Sequence, residues 1–303
     1  MSLEIISAKY GVPKKFVDVA DLVTKKIKND KLYLSITNSS FGGDPAPLTR
    51  KKLILEYRYD GKTEKVTLPE GVILEIPPAP IKENKKGRVT LNLPEVTLST
   101  FCWGNDSFLS SLVWAYKQFG HKVNFAEKIF FISEDIDHID YGDFFVSEDI
   151  QVIPLNKNYN IHQYSEMVMK DLNDFVHTDF VMLFQNDGFI DNINKWEDSF
   201  LDYDYIGAPW WYKDDKNVGN GGFSVRSKKL LGVLASDEKL KSFDPEDHHI
   251  CRVHGDYLRS EHGINFAPEE VARKFSVESG RYIDQFGFHS SVQLDAYLRR
   301  ISS

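Results

Sequence analysis

Four short apolar runs recur between residues 95 and 184: Glu95-Val96-Thr97-Leu98-Ser99-Thr100-Phe101, Lys128-Ile129-Phe130-Phe131-Ile132, Gln151-Val152-Ile153-Pro154 and Asp179-Phe180-Val181-Met182-Leu183-Phe184. Runs this apolar bury both faces, which the middle of a sheet covered by helices allows. The amphipathic segments Asn105 to Phe119 and Tyr164 to Val176 supply helices. Strand, helix and strand in about 35 residues predict a right-handed parallel crossover. The fourth run stops at Gln185-Asn186-Asp187-Gly188. Open α/β sheets bind ligands beyond the carboxyl ends of their strands, so this polar tetrad holds the favoured position for chemistry.

The first part of the chain has a different character. Residues 1 to 90 carry 17 Lys+Arg against 11 Asp+Glu, a balance of +6, and the remainder carries 20 against 34, a balance of −14. Pro77-Pro78-Ala79-Pro80 and the polar run Lys82 to Arg88 separate the two regions, because prolines stiffen a chain and such a run cannot enter a core. We expect a β-rich unit at 1–80, a linker at 81–92 and an α/β unit at 93–303. In the first unit Leu32 to Ile36, Leu53 to Tyr59, Lys65 to Leu68 and Val72 to Ile76 alternate like strands. Asp60-Gly61 between two of them is a strong hairpin signal. About six strands and a short helix near Leu22 to Ile27 predict a small all-β sandwich-like or barrel-like domain.

Composition removes several functions. With 303 residues and 42% hydrophobic content the chain can bury two cores, so a disordered linker role is excluded. A net charge of −8 lacks the long-range attraction that a sequence-independent nucleic-acid binder needs. No stretch approaches the ~20 apolar residues of a membrane-spanning helix, and Met1-Ser2-Leu3-Glu4 does not resemble a signal peptide. A cytoplasmic protein without a transmembrane segment is expected. Cys102 and Cys251 are too few for a disulfide framework and read as reduced, partly buried thiols.

Candidate chemistry lies in the second region. Asp187, leaving the end of a buried strand, can offer carboxylate oxygen to a hard divalent ion, although an aspartate that merely caps Gly188 fits as well. Asn217-Val218-Gly219-Asn220-Gly221-Gly222-Phe223-Ser224-Val225-Arg226 is neither a dinucleotide fingerprint nor a phosphate loop. Its glycines can let backbone approach a ligand, and Trp210 and Trp211 can offer a flat face to a sugar ring; a tight turn beside two core tryptophans is the alternative. Asp244-Pro245-Glu246-Asp247 opens a predicted helix running to Arg252, where first-turn acids suit the helix dipole. His248 and His249 read as solvated helix residues, and His289 alone as a hydrogen-bonded histidine.

Taken together, Phe184 to Ile190, Tyr203 to Trp210, Asn217 to Ser227, Pro245-Glu246-Asp247 with Ile250-Cys251-Arg252, Phe266 to Ala272 and Phe286-Gly287-Phe288-His289 resemble a family of glycosyltransferase-like proteins of unassigned specificity. The resemblance covers about residues 95 to 290. It implies a GT-A-like α/β mixed sheet that binds a nucleotide sugar. The first region is similar to the β-rich C-terminal domain of a DnaJ-like mitochondrial protein, through Ala8-Lys9-Tyr10-Gly11, Val17-Asp18-Val19 and Phe41 to Pro47, which implies only a fold.

By that resemblance Asp187 and His289 would hold a divalent metal, Mn²⁺ or Mg²⁺, against the diphosphate of a nucleotide-sugar donor. Gln185 stands where the family has the first acid of Asp-x-Asp, which weakens the implied metal. Asp247, sixty residues beyond Asp187, would be the general base of an inverting transfer to a glycan or other hydroxyl acceptor, with Glu246 beside it. Thr97, Ser99 and Thr100 would lie near the nucleotide base by position, with Asn186, Gly221 and Gly222 also at the donor. Asn220, Trp210 and Trp211 would meet the acceptor. Two other readings are kept: a non-catalytic carbohydrate or nucleotide-sugar binding protein, favoured by Gln185, and a scaffold whose basic β unit docks a partner.

Overall fold

The computed structural model describes residues 3–301 except 48, 50, 71–72, 78–90, 105 and 215. Most of the expected linker at 81–92 therefore falls outside the described residues. By its packing the chain divides into two units, Met1–Lys85 with Ser291–Ser303, and Lys86–Ser290.

The first unit contains six strands, β1 (Leu3–Val12), β2 (Lys15–Asp18), β3 (Leu32–Ser35), β4 (Lys52–Tyr59), β5 (Lys62–Pro69) and β6 (Ile73–Ile76). An antiparallel sheet runs in the order β2-β1-β4-β5, and β3 pairs with β6. The β4–β5 hairpin turns on Asp60 and Gly61, at φ 49° and 78°. Two residues with positive φ match the turn to the right-handed twist of its strands. Leu53, Leu55 and Tyr57 alternate inward on β4 and join Ala8, Tyr10, Leu32 and Leu34 in one core.

That unit is not all-β. Its short helix is Ala20–Thr24, and the C-terminal helix Ser291–Ile301 also belongs to it, burying Leu294, Tyr297 and Leu298 at helical spacing. Asp295 on this helix accepts hydrogen bonds from Ser39 Oγ at 3.0 Å and Ser40 Oγ at 3.1 Å. The expected extent of the α/β unit, 93–303, is corrected here: an apolar face at 294, 297 and 298 must be covered, and the first unit covers it.

In the second unit β7 (Leu91–Cys102), β8 (Val123–Ser133), β9 (Gln151–Leu155) and β10 (Phe180–Leu183) are followed by the short β11 (Gly188–Ile190), β12 (Tyr205–Gly207), β13 (Ser224–Ser227), β14 (Ser276–Val277) and β15 (Gly287–His289). Six of them form a mixed sheet in the order β12-β13-β10-β7-β8-β9. The pairs β10–β7, β7–β8 and β8–β9 are parallel, whereas β13 runs antiparallel to both β10 and β12. The predicted crossover is thus present, with helix Asp106–Phe119 between β7 and β8. The predicted helix at 164–176 starts earlier, at Ile161, and runs through a π-helical stretch Met167–Asp171 to Phe175.

Aromatic rings lock the helix Asp106–Phe119 to the sheet end. Phe119 meets Phe184 edge-on at 5.5 Å and stacks on Phe189 at 6.3 Å. Such pairs add about 0.5–1.5 kcal/mol each beyond their area burial, enough to hold the chain where it leaves β10. Among the described residues no helix is long and apolar enough to cross a membrane.

Candidate functional site

The site begins where β10 runs out. Phe184 N–H still donates to Ser99 O at 3.1 Å, and then Gln185 and Gly188 exchange backbone hydrogen bonds of 2.8 and 3.2 Å. Gln185-Asn186-Asp187-Gly188 is therefore a tight turn that reverses the chain into β11. That strand pairs antiparallel with β15, and the register sets Gly188 opposite His289. A Cβ on Gly188 would lie 2.6 Å from His289 Cδ2, so the imidazole occupies space that only glycine leaves. The sequence placed Asp187 and His289 about a hundred residues apart; strand pairing makes them neighbours.

His289 Nε2 lies 3.2 Å from Gln185 Oε1 and 3.6 Å from Asp187 Oδ1, while Nδ1 faces Glu278 Oε1 at 3.6 Å. Burial alone would push the imidazole pKa down, but Asp187 and Glu278 outweigh it and hold it above the ordinary histidine value. One carboxylate, one imidazole and one amide oxygen thus converge. A mixed oxygen and nitrogen set of this kind suits Mn²⁺ or Mg²⁺ that takes further ligands from phosphate. Among the described residues no group of three or more His, Cys, Asp or Glu is placed to hold a metal ion, and the third corner here is the neutral Gln185.

Gly221 and Gly222 connect this corner to the predicted base. A Cβ on Gly222 would stand 2.1 Å from His289 Nε2, and one on Gly221 would stand 2.7 Å from Glu246 Oε1 and 2.9 Å from Asp247 Cβ. Asp247 Oδ2 accepts from Gly221 N–H at 2.8 Å and Oδ1 from His248 N–H at 2.7 Å. Burial, reinforced by the neighbouring Glu246 charge, pushes the Asp247 carboxyl up to about 7, against the pull of those two N–H groups and Arg226. A largely buried carboxyl whose pKa is raised toward neutrality has the properties of an acid–base group.

Glu246 has another task. It is 3% exposed, and its Oε1 pairs with Arg226 Nη2 at 2.7 Å, with Tyr164 Oη at 3.4 Å. Arg226 is fully buried; its Nε donates to Ser224 Oγ at 3.3 Å and its guanidinium lies 5.1 Å from the Tyr205 ring centre. The expected place of Glu246 beside the base is corrected to a structural one: its carboxylate is spent on Arg226, beneath Gly221. The segment is one short turn, Glu246–His248, behind Pro245, which offers no side-chain cap, and it continues as a π-helical stretch His249–Val253.

Other expected contacts do not form. β7 continues to Cys102, so Thr97, Ser99 and Thr100 lie inside the sheet, each no more than 1% exposed. Thr97 Oγ1 bonds to Glu127 Oε2 at 3.1 Å and to Thr178 Oγ1 at 2.7 Å, and Thr100 Oγ1 donates to Phe184 O at 2.7 Å. Thr97 and Thr100 thus brace strands, and Ser99 is buried as deeply. Trp210 is 9% exposed in an apolar cluster with Tyr205, Leu230 and Cys251, whereas Trp211 is 67% exposed and rests on Tyr212, ring centres 5.3 Å apart. The expected tryptophan pair is thus one core residue and one surface residue. Asn186 and Asn220 are buried, and Asn220 Oδ1 accepts from Gly222 N–H at 3.2 Å, which fixes the glycine pair. His248 and His249 are half-buried against Trp210 and Phe243. Cys102 and Cys251 are both buried.

Sequence reasoning gave no role to Arg226, Glu278 or Tyr164. A charged residue inside Phe223-Ser224-Val225-Arg226-Ser227, otherwise a core-like strand, was the available signal, because arginine is almost never fully buried unpaired. Away from this cluster, a cavity of about 430 Å³ opens beside β9 among Tyr159, Gln163, Glu166, Asp171 and Asp174. None of the predicted site residues lines it.

Residues 149–289 match a family model described as a protein of unknown function, DUF5672. No curated protein matches the sequence. Among solved structures the chain is similar to the mannosyltransferase PcManGT from Pyrobaculum calidifontis, in complex with GDP-Man and Mn²⁺, at 10% identity over 58% of this chain and 56% of that one, TM-score 0.38. It is similar to the glycosyltransferase GlyE of Streptococcus pneumoniae at 12% identity over 58% of this chain and 45% of that one, TM-score 0.38. A cytidylyltransferase from Leptospira borgpetersenii matches at 12% identity over 59% of this chain and 76% of that one, TM-score 0.31. The match spans about half the length of the first two of these proteins.

Proposed function

We propose that the second unit is a nucleotide-sugar-dependent glycosyltransferase whose centre is the Asp187, His289, Gly221-Gly222 and Asp247 cluster. The observation that supports this reading is the bridge made by the glycine pair: Gly221 N–H holds Asp247 on one side, and Gly222 is pressed against His289 on the other. A site with a hard-oxygen corner and a neutral-range carboxyl on opposite sides of bare backbone matches the needs of group transfer from a diphosphate to a hydroxyl.

Asp187 Oδ1, His289 Nε2 and Gln185 Oε1 would hold the divalent cation. When bound, such an ion supplies positive charge that offsets the charge developing on a departing diphosphate. Asp247 accepts the acceptor's hydroxyl proton as its oxygen bonds to the anomeric carbon; the bond from that carbon to the diphosphate breaks and the electron pair leaves with the diphosphate. Direct displacement of this kind inverts the anomeric carbon. A carboxyl near neutral pKa is well matched to general-base work at pH 7. Arg226 and Glu246 keep Gly221 and Asp247 in place and touch no reactant.

The experiment is sugar transfer, or slow donor hydrolysis, by wild type and Asp247→Asn, with donor binding measured separately. Turnover should fall by about 10²- to 10⁴-fold while donor affinity changes little. Gln185 favours a second reading, a carbohydrate or nucleotide-sugar binding protein without turnover, because an amide holds a cation less firmly than an acid. Wild type that binds donor but transfers or hydrolyses nothing across a broad acceptor panel would decide for that reading.

A further inference from the structure

Four cations of the first unit line one pocket. Lys25, Lys26 and Lys28, just after the helix Ala20–Thr24, and Arg299 on the C-terminal helix line a pocket of about 290 Å³ together with Tyr33, Asp295 and Leu298. Four cations face one carboxylate, Asp295, so the lining carries a net positive charge. Asp295 accepts from the hydroxyls of Ser39 and Ser40, and Glu75 is hydrogen-bonded to the Tyr33 phenol. Burial pushes the Lys26 amine below its ordinary pKa; Asp295 opposes this and Arg299 adds to it. Like charges around a concavity focus a positive potential and leave a vacancy for negative charge.

We propose that this pocket binds a phosphate-bearing ligand. A polyvalent phosphate matches four cations better than a single carboxylate does. Arg299 can take two of its oxygens at once, while the lysines act as mobile point charges. The Tyr33 ring and Leu298 give an apolar wall against which the rest of the ligand can lie. The phosphate can come from a soluble polyphosphate or from a phospholipid headgroup, and both present the same chemistry to the pocket.

The test uses the full chain. Inorganic pyrophosphate is titrated calorimetrically, and co-sedimentation is measured with vesicles of phosphatidylcholine alone and of phosphatidylcholine containing phosphatidylinositol phosphate. Lys26→Gln and Arg299→Gln should each weaken the bound form by about tenfold, the loss expected for one charge-assisted hydrogen bond, and Lys26→Arg should retain most of it. Arg299 is exposed, so its substitution tests the pocket even where Lys26→Gln disturbs packing. The double variant Lys62→Gln/Lys65→Gln, which removes one charge more than either single variant and lies away from the pocket on β5, should bind as wild type. Pyrophosphate binding supports a soluble phosphate and vesicle binding alone supports a headgroup. Binding of neither probe, or equal loss in the β5 control, overturns the proposal.

Discussion

The Gly222 backbone and the His289 imidazole are packed so closely that a Cβ on Gly222 would lie 2.1 Å from His289 Nε2. His289 cannot simply yield, because Gln185, Gly188 and Glu278 bound the same ring. Gly222→Ala must therefore move the imidazole away from Asp187 or shift β15. Overpacking of this kind costs about 1–3 kcal/mol. We expect lower thermal stability and at least tenfold weaker Mn²⁺-linked binding of a nucleotide diphosphate by calorimetry. Gly232→Ala is the control: its new Cβ would meet nothing nearer than 3.8 Å, and alanine in a helix should add about 0.5–1 kcal/mol. Unchanged Mn²⁺-linked binding in Gly222→Ala would remove His289 from the cation site.

The Arg226–Glu246 pair supplies the second prediction. Both side chains are out of water, at 0% and 4% exposure, and the bond is 2.7 Å. Removing one partner of a buried pair strands the other charge, which costs about 3–5 kcal/mol, whereas replacing both by apolar groups is often near neutral. Glu246→Gln should accordingly destabilise far more than Arg226→Met/Glu246→Leu in chemical denaturation. If Glu246→Gln denatures like wild type and abolishes turnover instead, Glu246 is a reacting group and the assignment of the base to Asp247 is inverted.

Local rules made much of this architecture readable in the sequence. Asp60-Gly61 marked its hairpin because only residues tolerant of positive φ make that turn, and the apolar runs at 128–132 and 179–184 marked central strands because nothing else buries both faces. Long-range choices were less legible. The length of β7 is set by its partner, since pairing with β8 through Cys102↔Ile132 carries it past Thr100, and so three supposed donor residues end inside the sheet. That His289 lies beside Asp187 follows only from its register against Gly188. Which tryptophan of Trp210-Trp211 enters the core depends on the Leu230 and Cys251 surface beneath it, and no local pattern encodes that.

The C-terminal helix tests the division of the chain. Leu294 and Leu298 are 1% and 4% exposed, and Asp295 takes two serine hydroxyls, all within the unit formed with residues 1–85. Deleting residues 291–303 from the full chain uncovers that face, and truncating even one buried leucine costs about 2–5 kcal/mol. The first unit should then become protease-sensitive within Leu53–Leu68 while residues 91–290 stay protected. Asp295→Ala, which leaves the apolar face intact, should cost less, about 1–3 kcal/mol. Retained protection of 53–68 after the deletion would show that the strands fold without the helix.

Asp247 makes the last prediction, and its sign separates a functional carboxyl from a structural one. Its pKa is raised, from 3.8 to about 7, chiefly by burial and then by Glu246. Between those values the folded protein holds a proton that the unfolded chain has released, so folding is favoured by acid. This contribution is complete below pH 4 and is lost as pH rises through 7; above that the folded state carries an ionised carboxylate disfavoured by on the order of 4 kcal/mol at most. Asparagine cannot ionise, although it replaces one of two acceptor oxygens with a donor and so forfeits about 1 kcal/mol at Gly221 or His248. Asp247→Asn should therefore be more stable than wild type at pH 8, by about 1–3 kcal/mol, and no more stable at pH 4. Denaturant titrations at both pH values check this, alongside the loss of turnover. A variant that gains stability at pH 8 and loses activity marks a carboxyl kept ionised at a cost for chemistry; one destabilised at both pH values would make Asp247 a structural acceptor for the Gly221 loop and place the base elsewhere.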